Sequence, residues 1–283
     1  MILKAKAYAK LNLFLDIVGK REDGYHDIDS VMQSVSLYDE IEAELSHTNT
    51  VTIFYDDPAF FKPDDIIFKT CETFFEYAGA TFGVNLYIKK NIPTVAGVGG
   101  FSSDVAVVLK MLNILSGKNY SDEEMLALCL KLGADVPFCY NGGTARVRGV
   151  GEKLEKIPTP KLCFVLLKEG EKQSTGQMYA KLDSLSLPPS EKIEQMLSGI
   201  EKNDLSRVTA SVYNAFEYCW DMDAMKKPFE AFSPDAVFLS GSGPTVVAAF
   251  TDTQKARLCY SALHKEGRNV FYADSVPTGN VIE

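Results

Sequence analysis

The chain has 283 residues, enough for two domains of ordinary size and for a core that needs no disulfide or metal staple. Hydrophobic residues make up 46% and charged residues 24%, which excludes a disordered or collagenous chain. Lys and Arg number 29 against 38 Asp and Glu, a net charge of −9, so a nucleic acid lacks its basic footprint while a small phosphate-bearing ligand stays open.

Leu11, Leu13, Leu15 and Ile17 alternate with Asn12, Phe14, Asp16 and Val18, the period-two pattern of a strand. Gly24-Tyr25-His26 reads as a turn, and alternation resumes through Val35–Leu45, Val51–Tyr55 and Val84–Ile88. A helix is expected near residues 66–78. Val105, Val108, Leu109, Leu112 and Leu115 fall at helical spacing, and Ser121-Asp122-Glu123-Glu124 is a capping box for the next helix, which Gly133 ends. Ile157-Pro158-Thr159-Pro160 is the linker candidate and divides the chain into 1–157 and 161–283. Beyond it, strands are expected at 163–167, 236–239, 246–250 and 269–273, with helices at 174–182, 191–200, 205–220 and 253–266. Strand runs mixed with helices, without a regular alternation, predict an α+β class.

The six cysteines form no Cys-x-x-Cys pair, which predicts a reduced, cytoplasmic setting. No signal peptide and no run of about 18 uncharged apolar residues is found, so a membrane span is not expected. His26, His47 and His264 lack the spacing of a zinc site, and no Gly-x-Ser-x-Gly elbow is present for a hydrolase triad.

Four stretches carry chemistry. Gly97-Val98-Gly99-Gly100-Phe101-Ser102-Ser103 lies between a strand and a helix, where glycines bring backbone N–H groups to a ligand and the helix N-terminus favours a phosphate. Either serine is also a candidate Mg2+ ligand. The loop is neither a Walker A sequence nor a dinucleotide fingerprint; a capped strand-to-helix turn is the bland alternative. Asp135, in Gly133-Ala134-Asp135-Val136-Pro137, is expected on a stiff extended segment, because a proline restricts the residue before it. A carboxylate held there could orient a hydroxyl and accept its proton, although capping local amides is the commoner use. Lys10 and Asn12 share one strand face, open to solvent or to a cleft. Ser240-Gly241-Ser242-Gly243-Pro244-Thr245 is a loop between strands that exposes amides and hydroxyls.

In order along the chain, Ala9–Leu15, Gly24-Tyr25-His26, Pro93–Asp104, Gly133–Pro137 and Ser240–Thr245 resemble the motif series of the GHMP small-molecule kinases. The combination of Lys10, Gly-Tyr-His and Gly-Ala-Asp is most similar to the branch whose acceptor carries a cytidine diphosphate group. The resemblance implies a two-domain α+β fold, with an N-terminal domain like domain 2 of ribosomal protein S5 and a ferredoxin-like C-terminal domain. It implies ATP with Mg2+, a small-molecule acceptor, a monomer or homodimer, and no nucleic-acid or membrane partner.

By that resemblance Pro93, Ala96, Gly97, Val98, Gly99, Gly100, Phe101, Ser102 and Ser103 wrap the ATP phosphates. Asp135 is the catalytic carboxylate, and Lys10 beside it neutralises charge on the transferred phosphoryl group. Asn12 and Thr175 lie by the substrate, Tyr25 and His26 hold the cytosine, and Ser240, Gly241, Ser242 and Gly243 close the cleft. Metal ligands are not assigned. Two positions depart from the family. Phe101 replaces a third glycine, and if that position needs a positive φ the strain is on the order of 1–3 kcal/mol. Asp65 stands where an Asn near the adenine is common. The alternatives are another GHMP-type kinase, acting on mevalonate, homoserine or a sugar, and a non-catalytic nucleotide-binding protein.

Overall fold

The structure, a computed structural model, describes residues 2–79, 82–171, 174–185 and 187–283. β1 (Ile2–Lys20) and β2 (His26–Leu45) pair as a long antiparallel hairpin. Its register shifts between Tyr8 and Lys10 and again between Asn12 and Phe14. Bulges of this kind re-aim side chains. Here they let Leu11, Leu13 and Phe14 enter one apolar cluster, a departure from the simple alternation expected over residues 11–17.

β3 (Val51–Tyr55) runs parallel to β4 (Val84–Lys89), with α1 (Ile66–Ala78) between them in the chain. α2 (Gly100–Ser116) is buried almost all round from Ser103 to Leu112, as suits a central helix. α3 (Asp122–Leu132) carries the predicted Ser121/Glu124 capping box, and α4 (Val136–Asn141) follows. β5 (Thr144–Gly149) pairs with β2, and β6 (Lys153–Lys156) pairs with β5. The first sheet runs β4–β2–β1 through its centre, and α1 to α4 supply apolar side chains to the cluster on its helical face.

After β7 (Cys163–Lys168) come α5 (Thr175–Asp183), α6 (Lys192–Glu201), α7 (Leu205–Ala210), the short β8 (Tyr213–Asn214) and α8 (Met222–Lys226). β9 (Ala236–Leu239), β10 (Thr245–Phe250), α9 (Thr253–Lys265), β11 (Val270–Asp274) and β12 (Val281–Ile282) complete the chain. The second sheet is antiparallel in the order β11–β7–β10–β9. Phe164, Leu166, Val247 and Ala249 pack on one face with Leu11 and Leu13, while Val165, Leu167, Ala248 and Phe250 face the other cluster with α9. Burial on both faces explains the unbroken apolar run in β7. β8 and β12 return to the edge of β1, so the two sheets are tied at several points.

Two expectations fail. The helix expected over 205–220 stops at Ala210, and Tyr213–Asn214 pairs with β1. Asn214 is the reason: its buried amide donates to the carbonyls of Leu239 and Gly241, which outweighs local helical periodicity. The extended segment expected at Val136 is helical, because Pro137 sits in the first turn of α4, where its missing N–H has no intrahelical partner to lose. Among the described residues no helix is long and apolar enough to cross a membrane.

Candidate active site

The segment between β4 and α2 begins at Lys90 and folds back over β1. Gly97 (φ 76°) and Gly99 (φ 72°) take left-handed conformations there. The Lys10 backbone N–H donates to the Val98 carbonyl at 2.9 Å, and a Cβ added at Gly99 would lie 2.7 Å from Lys10 Cγ. Gly99 is required by both its φ and this close approach. Ala96 and Val98 turn their side chains into the core and leave only backbone to a ligand.

Phe101 is a further correction. It lies in the first turn of α2 with an ordinary negative φ, so the strain expected of a bulky residue there is absent. The left-handed non-glycine residue of this loop is Val95 (φ 52°), 67% exposed, which no motif had singled out. Ser102 is half-buried and open to the cleft. Ser103 is fully buried and its hydroxyl donates to the Tyr8 carbonyl, so it anchors α2 to β1 and does not face the cleft.

Lys10 is 4% exposed at its side chain, and its ammonium lies 3.1 Å from Asp135 Oδ2. It also donates to Asn12 Oδ1 at 2.7 Å. Asn12 Oδ1 further accepts from the Gly241 N–H at 3.2 Å, and the Asn12 amide donates to Ser30 Oγ at 3.0 Å. Asn12 therefore holds Lys10 from behind. Asp135 precedes α4 without capping it through its side chain, which removes the capping alternative. Its carboxylate is 35% exposed, open enough to meet a substrate hydroxyl.

Ser240 is buried and its hydroxyl donates to the Gly97 carbonyl at 3.0 Å. A Cβ on Gly97 would come within 2.3 Å of the Ser240 carbonyl oxygen, and one on Gly241 within 2.8 Å of the Gly97 oxygen. The two glycine loops are thus seated on each other, with Gly243 against the Trp220 ring. Gly241 and Ser242 also line the space beside Lys10.

Tyr25 and His26 form the far wall. Tyr25 is 63% exposed, whereas His26 stacks on Tyr179 at 4.6 Å and shares a 2.7 Å hydrogen bond from Nε2 with Asp183. Lys20 donates to the other Asp183 oxygen at 2.6 Å. The hydrogen bond from Lys20, with that from His26, holds the Asp183 carboxyl below the usual carboxylate range. Burial pushes the Tyr179 phenol up. Tyr179, Asp183 and Lys20 were not found from sequence, because they sit in segments with no motif. Thr175 stands at the first position of α5, held by the Ser174/Gln177 capping box. Asp65 caps α1 at the Ile67 and Phe68 amides and accepts from the Tyr55 hydroxyl, so its oxygens serve the fold.

Two cavities of about 530 Å³ each meet at this point. One is lined by the segment from Pro93 to Ser102, the other by Tyr25, His26, Tyr179 and Asp183. Lys10, Asn12 and Asp135 line a smaller space of about 140 Å³, which shares Thr175 with both. No cluster of three or more His, Cys, Asp or Glu side chains suited to a metal occurs among the described residues. The Ser102 hydroxyl, open to the cleft, is a group that could serve Mg2+, which keeps waters and phosphate oxygens as ligands and needs only one or two groups from the protein.

Residues 65–143 match the model of the GHMP kinases N terminal domain. The chain is 36% identical over 283 residues to the 4-diphosphocytidyl-2-C-methyl-D-erythritol kinase of Clostridium beijerinckii, covering 97% of this chain and 100% of that one. It is 34% identical to the kinase of the same name from Thermoanaerobacter pseudethanolicus, covering 98% and 97%. A crystal structure of 4-(cytidine 5'-diphospho)-2C-methyl-D-erythritol kinase superposes with a TM-score of 0.80 at 27% identity, over 96% of this chain and 98% of that one. The mevalonate kinase of L. major, at 15% identity and a TM-score of 0.79 over 98% and 96%, shares the fold. Fold alone therefore does not separate acceptors within this group, whereas identity along nearly the whole length does. The chain belongs to the 4-diphosphocytidyl-2-C-methyl-D-erythritol kinases, within the GHMP kinases.

Proposed function

We propose that this kinase transfers the γ-phosphoryl group of ATP to the 2-hydroxyl of 4-diphosphocytidyl-2-C-methyl-D-erythritol, in non-mevalonate isoprenoid synthesis. The observation that carries the reading is the Lys10–Asp135 pair, 3.1 Å apart, at the junction of two wells large enough for a nucleotide and for a cytidylated acceptor. The well under residues 93–102 takes ATP, its phosphates against the amides at the start of α2. The other takes the cytidine end, with Tyr25, His26 and Tyr179 as aromatic surfaces and Thr175 near the polyol. Residues 1–157 then form the S5 domain 2-like lobe and residues 161–283 the ferredoxin-like lobe, whose four-stranded sheet supports that description. Monomer and homodimer both suit the site. The six free, buried cysteines support a cytoplasmic setting.

Phosphoryl transfer asks mainly for positioning and charge stabilisation. Asp135 orients the acceptor hydroxyl and takes its proton as the oxygen bonds to the γ-phosphorus and the bond to the β-phosphate oxygen breaks. Lys10, fixed by Asn12, offsets negative charge on the transferred group. Ser102 is the residue that would hold Mg2+, which when bound would screen the phosphate charges.

A coupled turnover assay with the cytidylated acceptor tests the reading. Asp135→Asn and Lys10→Ala should each lower kcat by about a hundredfold or more. Near-native turnover in both variants would refute the assignment.

A further inference from the structure

Beneath the phosphate loop lies a charged cluster that the reaction itself does not use. Lys90 follows β4, and its ammonium is bonded to Asp39 of β2 and to Asp104 of α2. All three side chains are at most 1% exposed. Asp39 also accepts from the amides of Asn91 at 2.6 Å and Ile92 at 2.8 Å, where the loop begins. Asp104 belongs to the helix on which the loop ends, and its Oδ1 is buried with no hydrogen-bond partner. Lys90 Nζ stands 4.5 Å from the centre of the Phe101 ring, and both residues border the first cavity. A Cβ on Gly100 would lie 3.6 Å from the same nitrogen.

Two carboxylates and one ammonium in a dry site are a poor source of stability, since apolar side chains of equal volume do as well or better. An orphaned carboxylate oxygen makes the arrangement costlier still. Burial pushes the Asp104 carboxyl up, against the opposing pull of Lys90. What the cluster does provide is directed bonds to both ends of one loop. Phe101 acquires a use here as well, because its ring shields and attracts the ammonium.

We infer that Lys90, with Asp39 and Asp104, clamps the two ends of the phosphate loop, and that Lys90 is thereby a positioning residue for ATP. The inference rests on reading the first cavity as the nucleotide well.

The clamp is tested by the split between the two substrates. Lys90→Met should raise the KM for ATP by roughly tenfold or more while the KM for the cytidylated acceptor changes by less than about threefold. Asp104→Asn keeps the shape and an acceptor for Lys90, and should stay within about threefold of the parent for both substrates. A folded Lys90→Met enzyme with the parent's KM for ATP overturns the clamp, as does an equal rise in both KM values.

Because Lys90→Met leaves two buried carboxylates unpaired, the combined variant Asp39→Asn, Lys90→Met, Asp104→Asn is measured with it. It should fold and still bind a non-hydrolysable ATP analogue weakly; restored binding overturns the inference. Amide exchange in the ligand-free parent chain reads the clamp without any substitution. Asn91, Ile92 and Ser103, whose amides are hydrogen-bonded, should exchange slowly and the residues between them faster, and uniformly fast exchange rejects it. Failure of the parent chain to bind the analogue would instead refute the nucleotide site, a result distinct from either.

Discussion

Val95 and Phe101 together show what one residue contributes to the phosphate loop. Phe101 looked strained by analogy with a glycine, yet it is helical and rests over Lys90. The strain sits instead at Val95, a β-branched residue at φ 52° with most of its side chain in solvent. A left-handed non-glycine residue costs about 1–3 kcal/mol, whereas glycine there adds about 0.5–1 kcal/mol of unfolded-state entropy. Val95→Gly is therefore expected to raise stability by about 1 kcal/mol. Urea unfolding checks this through its midpoint, and a lower midpoint would show that Val95 is not under strain. The site residues themselves divide by the same physics. Lys10, Asp135 and His26 lie in stretches that resemble the family's motifs, while Tyr179 and Asp183 lie on an ordinary amphipathic helix and become visible only through their contacts with His26.

Between elements, the decisive feature is the seating of one glycine loop on the other. Gly97 has φ 76°, and an added Cβ would lie 2.3 Å from the Ser240 carbonyl oxygen and 3.1 Å from that of Gly243. Gly97→Ala combines a left-handed penalty with overpacking, together on the order of 3 kcal/mol. It should lower the melting temperature and raise the KM for ATP, since both loops have to part. A variant with parental stability and KM would mean that the contact is loose. The helical segments show how far local pattern reaches. α3 and its capping box follow directly from Ser121 and Glu124. The expected 205–220 helix breaks because buried Asn214 meets carbonyls of a strand and loop more than twenty residues further on, a bond that no local period records.

At the scale of the molecule, the wells lie where a doubly buried second sheet brings its loop against β1. Ligands that bind this native arrangement alone must stabilise it by mass action. Cytidine diphosphate and a non-hydrolysable ATP analogue, each at about a hundred times its Kd, should add about 2.7 kcal/mol. That corresponds to a rise on the order of 5 °C in melting temperature for a chain of this size. Mevalonate at the same concentration should leave it unchanged. A shift with mevalonate and none with cytidine diphosphate would move the acceptor assignment to another GHMP kinase.

Resemblance to the GHMP kinases paired Lys10 with Asp135, whereas sequence pattern by itself determined the α+β class, most strands and helices, and the glycine loops. These properties are written in short-range terms: side-chain period, capping groups, and the backbone freedom of glycine. Tertiary structure alone decided that Asn12 and Ser103 face inward, that Asp65 serves a cap, that Val95 and not Phe101 bears the strain, and that Lys90 ties two carboxylates under the loop. Each of those outcomes depends on which surfaces meet when two sheets pack, and packing partners distant in the chain leave no periodic trace in either segment.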